Sequence, residues 1–348
     1  MRDETERLHQ ILRRVAPGTP LREGLENVLH AGTGGLIVLG DSPEVLGLAA
    51  GGFRIDCPFL ASAVYELAKM DGAIILSADG DRILHANVQL VPDARLPSLE
   101  TGIRHRTAER VSRQTGCLVV AISQRRRQIT LYKGALRHVL RDASVVLGRA
   151  NQALQTLERQ RLALRSEIEE LGALEFTGDV TLDDVVAIIQ RAALADRIAA
   201  EVAGYIEELG SEGRLVAMQL QELMRGLPEE ILYVLRDYAA KSDIAYAREI
   251  RDQLAEWSAD AILDLSAIAR LLGHPGELEQ VVQPRGLRVL RHVPRLPPPV
   301  AEHLAERFGT LLRLLSASIE ELDDVEGIGA TRARSIQAHL QRMRELSR

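Results

Sequence analysis

Two short clusters in this chain of 348 residues carry side chains that could act on a phosphate ester. The first is Asp71-Gly72-Ala73, set at the mouth of the apolar run Ile74-Ile75-Leu76. An aspartate there can hold a metal ion, and the glycine lets backbone pack close to a base or sugar. The second is Arg104-His105-Arg106-Thr107-Ala108-Glu109, two cations around a histidine where a helix begins. A helix N-terminus bearing arginines is a suitable cradle for polyphosphate. The plain alternatives are a turn aspartate bonded to its own backbone and a solvated helix end.

Both triplets, Asp71-Gly72-Ala73 and Arg104-His105-Arg106, match the signature triplets of the diadenylate cyclase domain. The chain resembles that family between and beyond them too, in Ala86-Asn87-Val88-Gln89-Leu90 with Pro92-Asp93, and in Ile122-Ser123-Gln124-Arg125-Arg126 followed by Ile129-Thr130-Leu131-Tyr132. Order and spacing agree. One departure stands at Ile103, where the family pattern Thr-Gly-Thr-Arg-His-Arg has threonine; it bears on pocket shape more than on chemistry.

The resemblance implies condensation of two ATP molecules into cyclic di-AMP. It implies Asp71 as a metal ligand that helps polarise the attacking hydroxyl, with Gly72 and Ala73 against the nucleotide. Arg104 and Arg106 would bind phosphate or base edges, and His105 would orient the turn or touch phosphate. Thr107 would give a hydroxyl to phosphate, Leu90 would line the adenine pocket, and Ser123 would contact the triphosphate. Arg126, within the run Arg125-Arg126-Arg127, would steer ATP. A bland role competes with each: a bare cap for Thr107, strand core for Leu90, a strand-end hydroxyl for Ser123, a wet loop for the arginines. Glu109 is either a metal ligand or a capping or ion-pairing group. Mg²⁺ or Mn²⁺ is expected, because polyphosphate charge must be neutralised. Since the product is two-fold symmetric, the simplest arrangement sets two identical sites face to face, and a monomer holding one ATP is inactive.

Positioning these residues falls to a mixed α/β domain, residues 1–142, with a central sheet flanked by helices. Leu8, Ile11, Leu12 and Val15 predict one amphipathic helix, and Leu21, Leu25, Val28 and Leu29 a second beyond the Pro17–Pro20 breaker. Gly32-Thr33-Gly34-Gly35 then leads into a strand over 36–40. No Gly-Lys-Ser/Thr follows, so the glycines read as a tight turn rather than a phosphate loop. A helix over 58–70 precedes strands at 72–77 and 82–90, joined by a hairpin at Asp79-Gly80. A helix from about Arg106 to Thr115 stops at Gly116, and strands at 117–122 and 128–132 flank the basic loop.

Residues 143–283 predict an all-α spine. Ala150, Leu154, Leu157, Leu164, Ile168 and Leu171 keep helical steps over ~40 Å at ~1.5 Å per residue, with a break expected from Gly172 to Gly178. Thr181-Leu182-Asp183-Asp184 is close to a capping box opening a helix through Val185, Ile188, Ile189 and Leu194. Helices follow over 213–225, 228–240 and 243–257, and a last one capped by Ser258 carries Ile262, Leu265, Ile268 and Leu272 inward. Trp257 reads as core or interface.

Residues 284–348 begin with a proline- and arginine-rich connector to Pro299. Val325-Glu326-Gly327-Ile328-Gly329, running into Ala330-Thr331-Arg332-Ala333-Arg334, resembles a helix-hairpin-helix module, and Val293-Pro294-Arg295-Leu296-Pro297 a degenerate first copy, making a tandem pair. Gly327 and Gly329 would let amides approach a DNA phosphate, with Thr331, Arg332 and Arg334 beside them. Residues 285–348 hold eleven arginines, no lysine and eight acidic residues, a net +3 in a chain whose total is −6. The basic balance sits with the hairpins.

Composition bounds the rest. With 46% apolar but only 3% aromatic residues, Ala/Leu/Ile/Val-rich helices are favoured over a β-sandwich. Two cysteines, Cys57 and Cys117, are too few for a disulfide framework or a Cys-rich metal site. No signal-peptide pattern or bilayer-length apolar run is present, so no membrane contact is expected and the compartment reads as cytoplasm. Taken end to end, the chain resembles the DNA-integrity scanning diadenylate cyclases. That resemblance implies an octamer, and inhibition of synthesis by branched, Holliday-junction-like DNA. Two other classes compete: a DNA-repair scaffold that senses nucleotide without turning it over, and, more weakly, a DNA glycosylase or nuclease.

Overall fold

The computed structural model describes residues 2–346, with side chains from Leu8 to Glu345. Its contacts form two compact units. One runs to Asn151 and takes in Ala203–Ala217; the other comprises Gln152–Val202 and the chain from Met218 onward.

The first unit opens with α1 (Arg2–Arg14) and α2 (Pro20–His30). There follow β1 (Gly35–Leu39), α3 (Pro43–Gly47), β2 (Ala49–Ala50), β3 (Phe53–Pro58), α4 (Ala61–Leu67), β4 (Ala73–Leu76) and β5 (Arg82–Leu90). Then come α5 (Ile103–Thr115), β6 (Leu118–Ser123), β7 (Gln128–Lys133) and β8 (Leu136–Val139). The sheet order is β2-β5-β4-β1-β6-β7-β8, with β3 also paired to β5. β1 and β4 run parallel; the other described pairs are antiparallel.

Period-two alternation splits the strand residues between two faces. Ile37, Leu39, Ile74, Leu76 and Val120 pack with α1, α2 and α4. Leu36, Val38, Ala73, Ile75, Val119 and Ala121 pack with Ala108 and Val111 of α5. This is the expected sheet between helices.

The structure adds β2, β3, β8 and α3 to the expected elements. These strands lie toward the sheet margins, where alternation weakens: in β3, Phe53 is 57% exposed and Arg54 and Asp56 face solvent. Helix α5 begins at Ile103, earlier than the spacing predicts, so the whole basic triplet is helical. Its N-cap is Gly102, which has no side chain to mark the start.

The remaining chain is helical. α6 (Ala143–Thr177) runs straight through Gly172 and stops at Gly178, whose φ is +82°. At ~1.5 Å per residue it is ~52 Å long, so the expected break at Gly172 is overturned: a single glycine costs a helix only about 1 kcal/mol. α7 (Leu182–Leu209) opens with the expected reciprocal cap. The Asp184 amide donates to Thr181 Oγ1 at 3.3 Å, and the Thr181 amide to Asp184 Oδ2 at 2.9 Å. It runs well past Leu194, into a short 3₁₀ turn at Gly210–Gly213.

α8 (Arg214–Met224), α9 (Leu227–Tyr238) and α10 (Ile244–Glu256) follow. The helix expected after Ser258 is two, α11 (Ala259–Ile262) and α12 (Leu265–Leu272), because Asp264 caps a fresh start. Trp257 packs against the core formed by α6, α7, α9, α10 and α12. The connector contains α13 (Leu287–Leu290), and α14 (Pro298–Phe308), α15 (Leu311–Leu315), α16 (Ile319–Asp323) and α17 (Ala330–Leu346) complete the chain. Among the described residues no helix is long and apolar enough to cross a membrane.

Candidate active site and candidate DNA interface

Strand directions bring the chemistry to one end of the first unit's sheet. β1 and β4 are parallel, so Gly34 and Asp71, which precede them, emerge at the same end. Antiparallel pairing of Gly35 with Ile122 and of Ala73 with Val88 brings the C-terminal ends of β6 and β5 there too. Ser123 and Leu90 sit on those ends.

Arg104 donates through Nη2 to Asp71 Oδ1 at 2.5 Å, joining residues 33 apart in sequence. Asp71 is 94% exposed and Arg104 36%. An ion pair this open contributes at most about 1 kcal/mol to stability. Its value is elsewhere: a carboxylate and a guanidinium are held together in water at this end of the sheet.

Glycines make the close approach possible. A Cβ on Gly72 would overlap the backbone of Asn87, which takes φ +56° where the β4–β5 register breaks. A Cβ on Gly34 would overlap the Arg104 guanidinium and lie 3.2 Å from the Ile122 carbonyl. Ala73 and Leu90 are both buried in the α5-face core beneath this end.

The other predicted residues divide. Arg106 is exposed, its Nε donating to the Glu100 carbonyl at 3.3 Å. His105 faces inward, edge-on to Tyr132 with ring centroids 6.3 Å apart. Burial holds its imidazole below the ordinary histidine range, Glu100 opposing and Arg126, Arg137 and Arg104 adding to the depression. A neutral, buried ring suits orienting the turn rather than binding phosphate. Thr107 is half-buried. Ser123 Oγ accepts from the Arg126 amide at 3.1 Å, capping the β6–β7 turn, and Arg126 is exposed. Glu109 is committed, accepting from Ser98 Oγ at 2.5 Å and pairing with Arg113 at 2.7 Å.

In the second unit the two hairpins share one backbone device. Gly327 has φ +86°, and Arg295, at the matching place of the degenerate copy, has φ +60°. Val293 and Val325 are both buried in the core that α14, α15 and α17 share. Gly329, Thr331, Arg332 and Arg334 are exposed, and Arg332 braces the turn by donating to the Gly327 carbonyl.

Comparison with known proteins agrees along the chain. Residues 140–281 match the DisA bacterial checkpoint controller linker region, residues 22–136 the DisA bacterial checkpoint controller nucleotide-binding family, and residues 291–346 the helix-hairpin-helix motif. The DNA integrity scanning protein DisA of Symbiobacterium thermophilum is 57% identical over 335 residues, 96% of this chain and 95% of its own. The protein of the same description from Carboxydothermus hydrogenoformans is 52% identical over 343 residues, 98% of this chain and 97% of its own. This chain belongs to the DisA family.

Sequence reasoning passed over Gly34, whose missing side chain leaves room for the Arg104 guanidinium. Gly34 left one trace, since Gly32 with φ +68° already makes the turn and a further glycine is surplus to it. Gly34→Ala is expected to leave the melting temperature within about 2 °C, because what it displaces is the flexible end of Arg104. The same displacement should lower kcat/KM for nucleotide turnover by about 10²-fold, the cost of a misplacement near 1 Å. Steady-state kinetics beside a thermal melt checks both.

Proposed function

We propose that this DisA-family chain is a diadenylate cyclase. Two copies, each holding one ATP at the Asp71–Arg104 end of its sheet, face each other and join the nucleotides into cyclic di-AMP, releasing two pyrophosphates. The observation that carries this reading is the convergence of Asp71 and Arg104 at 2.5 Å on an open sheet end floored by Gly72 and Ala73.

Each half-reaction is attack by the 3′-hydroxyl of one ATP on the α-phosphorus of the other. Such a transfer asks for alignment and charge neutralisation more than for covalent steps. Arg104 and Arg106 supply the fixed positive charge, and the uncapped N-terminus of α5 adds backbone N–H donors. Asp71 accepts from, and so polarises, the attacking hydroxyl.

The donor set fits Mg²⁺ or Mn²⁺ arriving with the nucleotide. Such ions need only one or two carboxylates when substrate phosphates fill the remaining positions; Glu109 is buried and doubly bonded, whereas Asp71, though paired with Arg104, is open to solvent and would supply one. The ion would neutralise charge on the reacting phosphate. The assembly we assign is an octamer working in the cytoplasm, with two nucleotide sites paired across each contact.

The test is direct: incubate the chain with ATP and Mn²⁺ and chromatograph for a cyclic dinucleotide. Product whose yield per chain falls on dilution supports the reading. Nucleotide binding without product overturns it in favour of a nucleotide-sensing DNA-repair scaffold.

For DNA, the second hairpin is the reader and branched duplex the ligand, with occupancy slowing cyclisation. Pro294 and Pro297 remove amide donors from the first hairpin, whereas Gly327 and Gly329 keep theirs. Gly329→Val is the cleanest probe, since nothing lies within 4 Å of an added Cβ. It should weaken DNA binding about 10-fold, equally across sequences, while DNA-free cyclisation is unchanged. Fluorescence anisotropy across a salt series, with junction and linear duplex, measures this; wild-type affinity should fall steeply with salt.

A further inference from the structure

The arginine end of α5 needs a support that no assignment above covers, because residues 91–102 before it form neither helix nor strand. Side chains staple most of this stretch back onto α5 itself. The Asp93 amide donates to Gln114 at 2.9 Å, Arg110 to the Leu96 carbonyl at 2.9 Å, and Ser98 to Glu109. Those ties fix the loop to the helix, not the helix to the sheet.

Glu100 makes the other connection. Its Oε1 accepts from Tyr132 Oη of β7 at 2.8 Å and from Arg137 Nε of β8 at 2.6 Å. Its carbonyl accepts from Arg106. The side chain is only 8% exposed. Burial pushes its carboxyl up, but the hydrogen bonds from Arg137 and Tyr132 outweigh that and hold it below the ordinary range. The Tyr132 ring it anchors is the surface against which His105 stands.

We infer that Glu100 is a positioning residue for the reaction proposed above, fixing the first turn of α5, and with it Arg104 and Arg106, against the sheet end where Asp71 emerges. This rests on the cyclase reading.

Glu100→Gln keeps the volume and one acceptor oxygen but removes the charge facing Arg137. The expected result is a fall in kcat for cyclic dinucleotide formation of about 10-fold or more. KM for ATP should change less than about 3-fold and the melting temperature by less than about 3 °C. In an Arg137→Ala background the same change should cost less than about 3-fold, because the cation that the Glu100 charge faces is already gone. Tyr132→Phe, which keeps the ring and deletes one hydrogen bond, should give a milder form of the same kcat-only loss.

Loss of kcat that merely tracks a falling melting temperature in both variants means a structural role, and overturns the inference. So does a full multiplicative loss in the Arg137→Ala background. A wild-type chain that makes no cyclic dinucleotide overturns the cyclase reading as well, and that control tells the two failures apart.

Discussion

Asp71→Asn is expected to abolish the proposed cyclic dinucleotide formation, a loss of about 10³-fold or more, in a chain that should still fold and keep its oligomer and DNA binding. On the proposed reading, the magnitude follows from removing the group that would polarise the attacking hydroxyl and hold the substrate's metal, each worth powers of ten in rate. The intact fold follows from exposure. With the side chain 94% in solvent, its ion pair with Arg104 contributes at most about 1 kcal/mol, and asparagine can still accept from the guanidinium. Product chromatography with size-exclusion chromatography on one preparation decides the matter. Turnover near wild type would remove Asp71 from the chemistry.

The second large effect is on stability. Glu175 is fully buried in α6, where it accepts from Arg288 and, at 2.9 Å, from Tyr238 Oη. Beside it Asp237, also buried, accepts from the amides of Leu287 and Arg288 at 2.7 and 2.9 Å, capping α13. Burial, and the negative charge of Glu175, push the Asp237 carboxyl up to about 7. Arg288→Met leaves two acidic groups in apolar surroundings without their cation. The expected cost is about 3–5 kcal/mol, a fall of roughly 10 °C in the melting temperature of this part of the chain. Glu175→Met added to Arg288→Met should recover much of it, because only Asp237 then remains, and it keeps the amides of Leu287 and residue 288 as donors.

The pH dependence has a definite sign. Asp237 is raised in the folded state, so its contribution is fully present below about 4 and is lost as pH rises through about 7. The deficit of Arg288→Met should therefore be larger at pH 8 than at pH 5.5. Melts at the two values check it; a constant deficit would mean that Asp237 is not what the arginine compensates.

How much of this could be read from the residues alone depends on how local each signal is. The helices of the spine follow from apolar steps along one stretch, and Gly116 and the Thr181–Asp184 cap mark ends that depend on neighbours a few residues away. Strands β2, β3 and β8 escaped because strands at or near a margin carry exposed side chains and lose alternation, as Phe53 and Arg54 do. Gly172 misled because the rule for glycine describes a propensity, and packing of α6 overrides about 1 kcal/mol.

At the site, Asp71 and Arg104 were legible through the triplets that contain them. Their supports were not. Glu100 meets Tyr132 and Arg137 across 32 and 37 residues, a pairing that only the β7–β8 hairpin and the loop before α5 bring about. Gly34 looks like any turn glycine until the guanidinium occupying its missing side chain is seen.

Glu175 and Arg288 hold each other in place across 113 residues. Two positions far apart in the gene thus share one fate. A lineage that loses the acid strands the base, and one that loses the base strands the acid. Drift at these sites is expected in concert or not at all, which makes them a sensitive place to ask whether a distant descendant still folds this way.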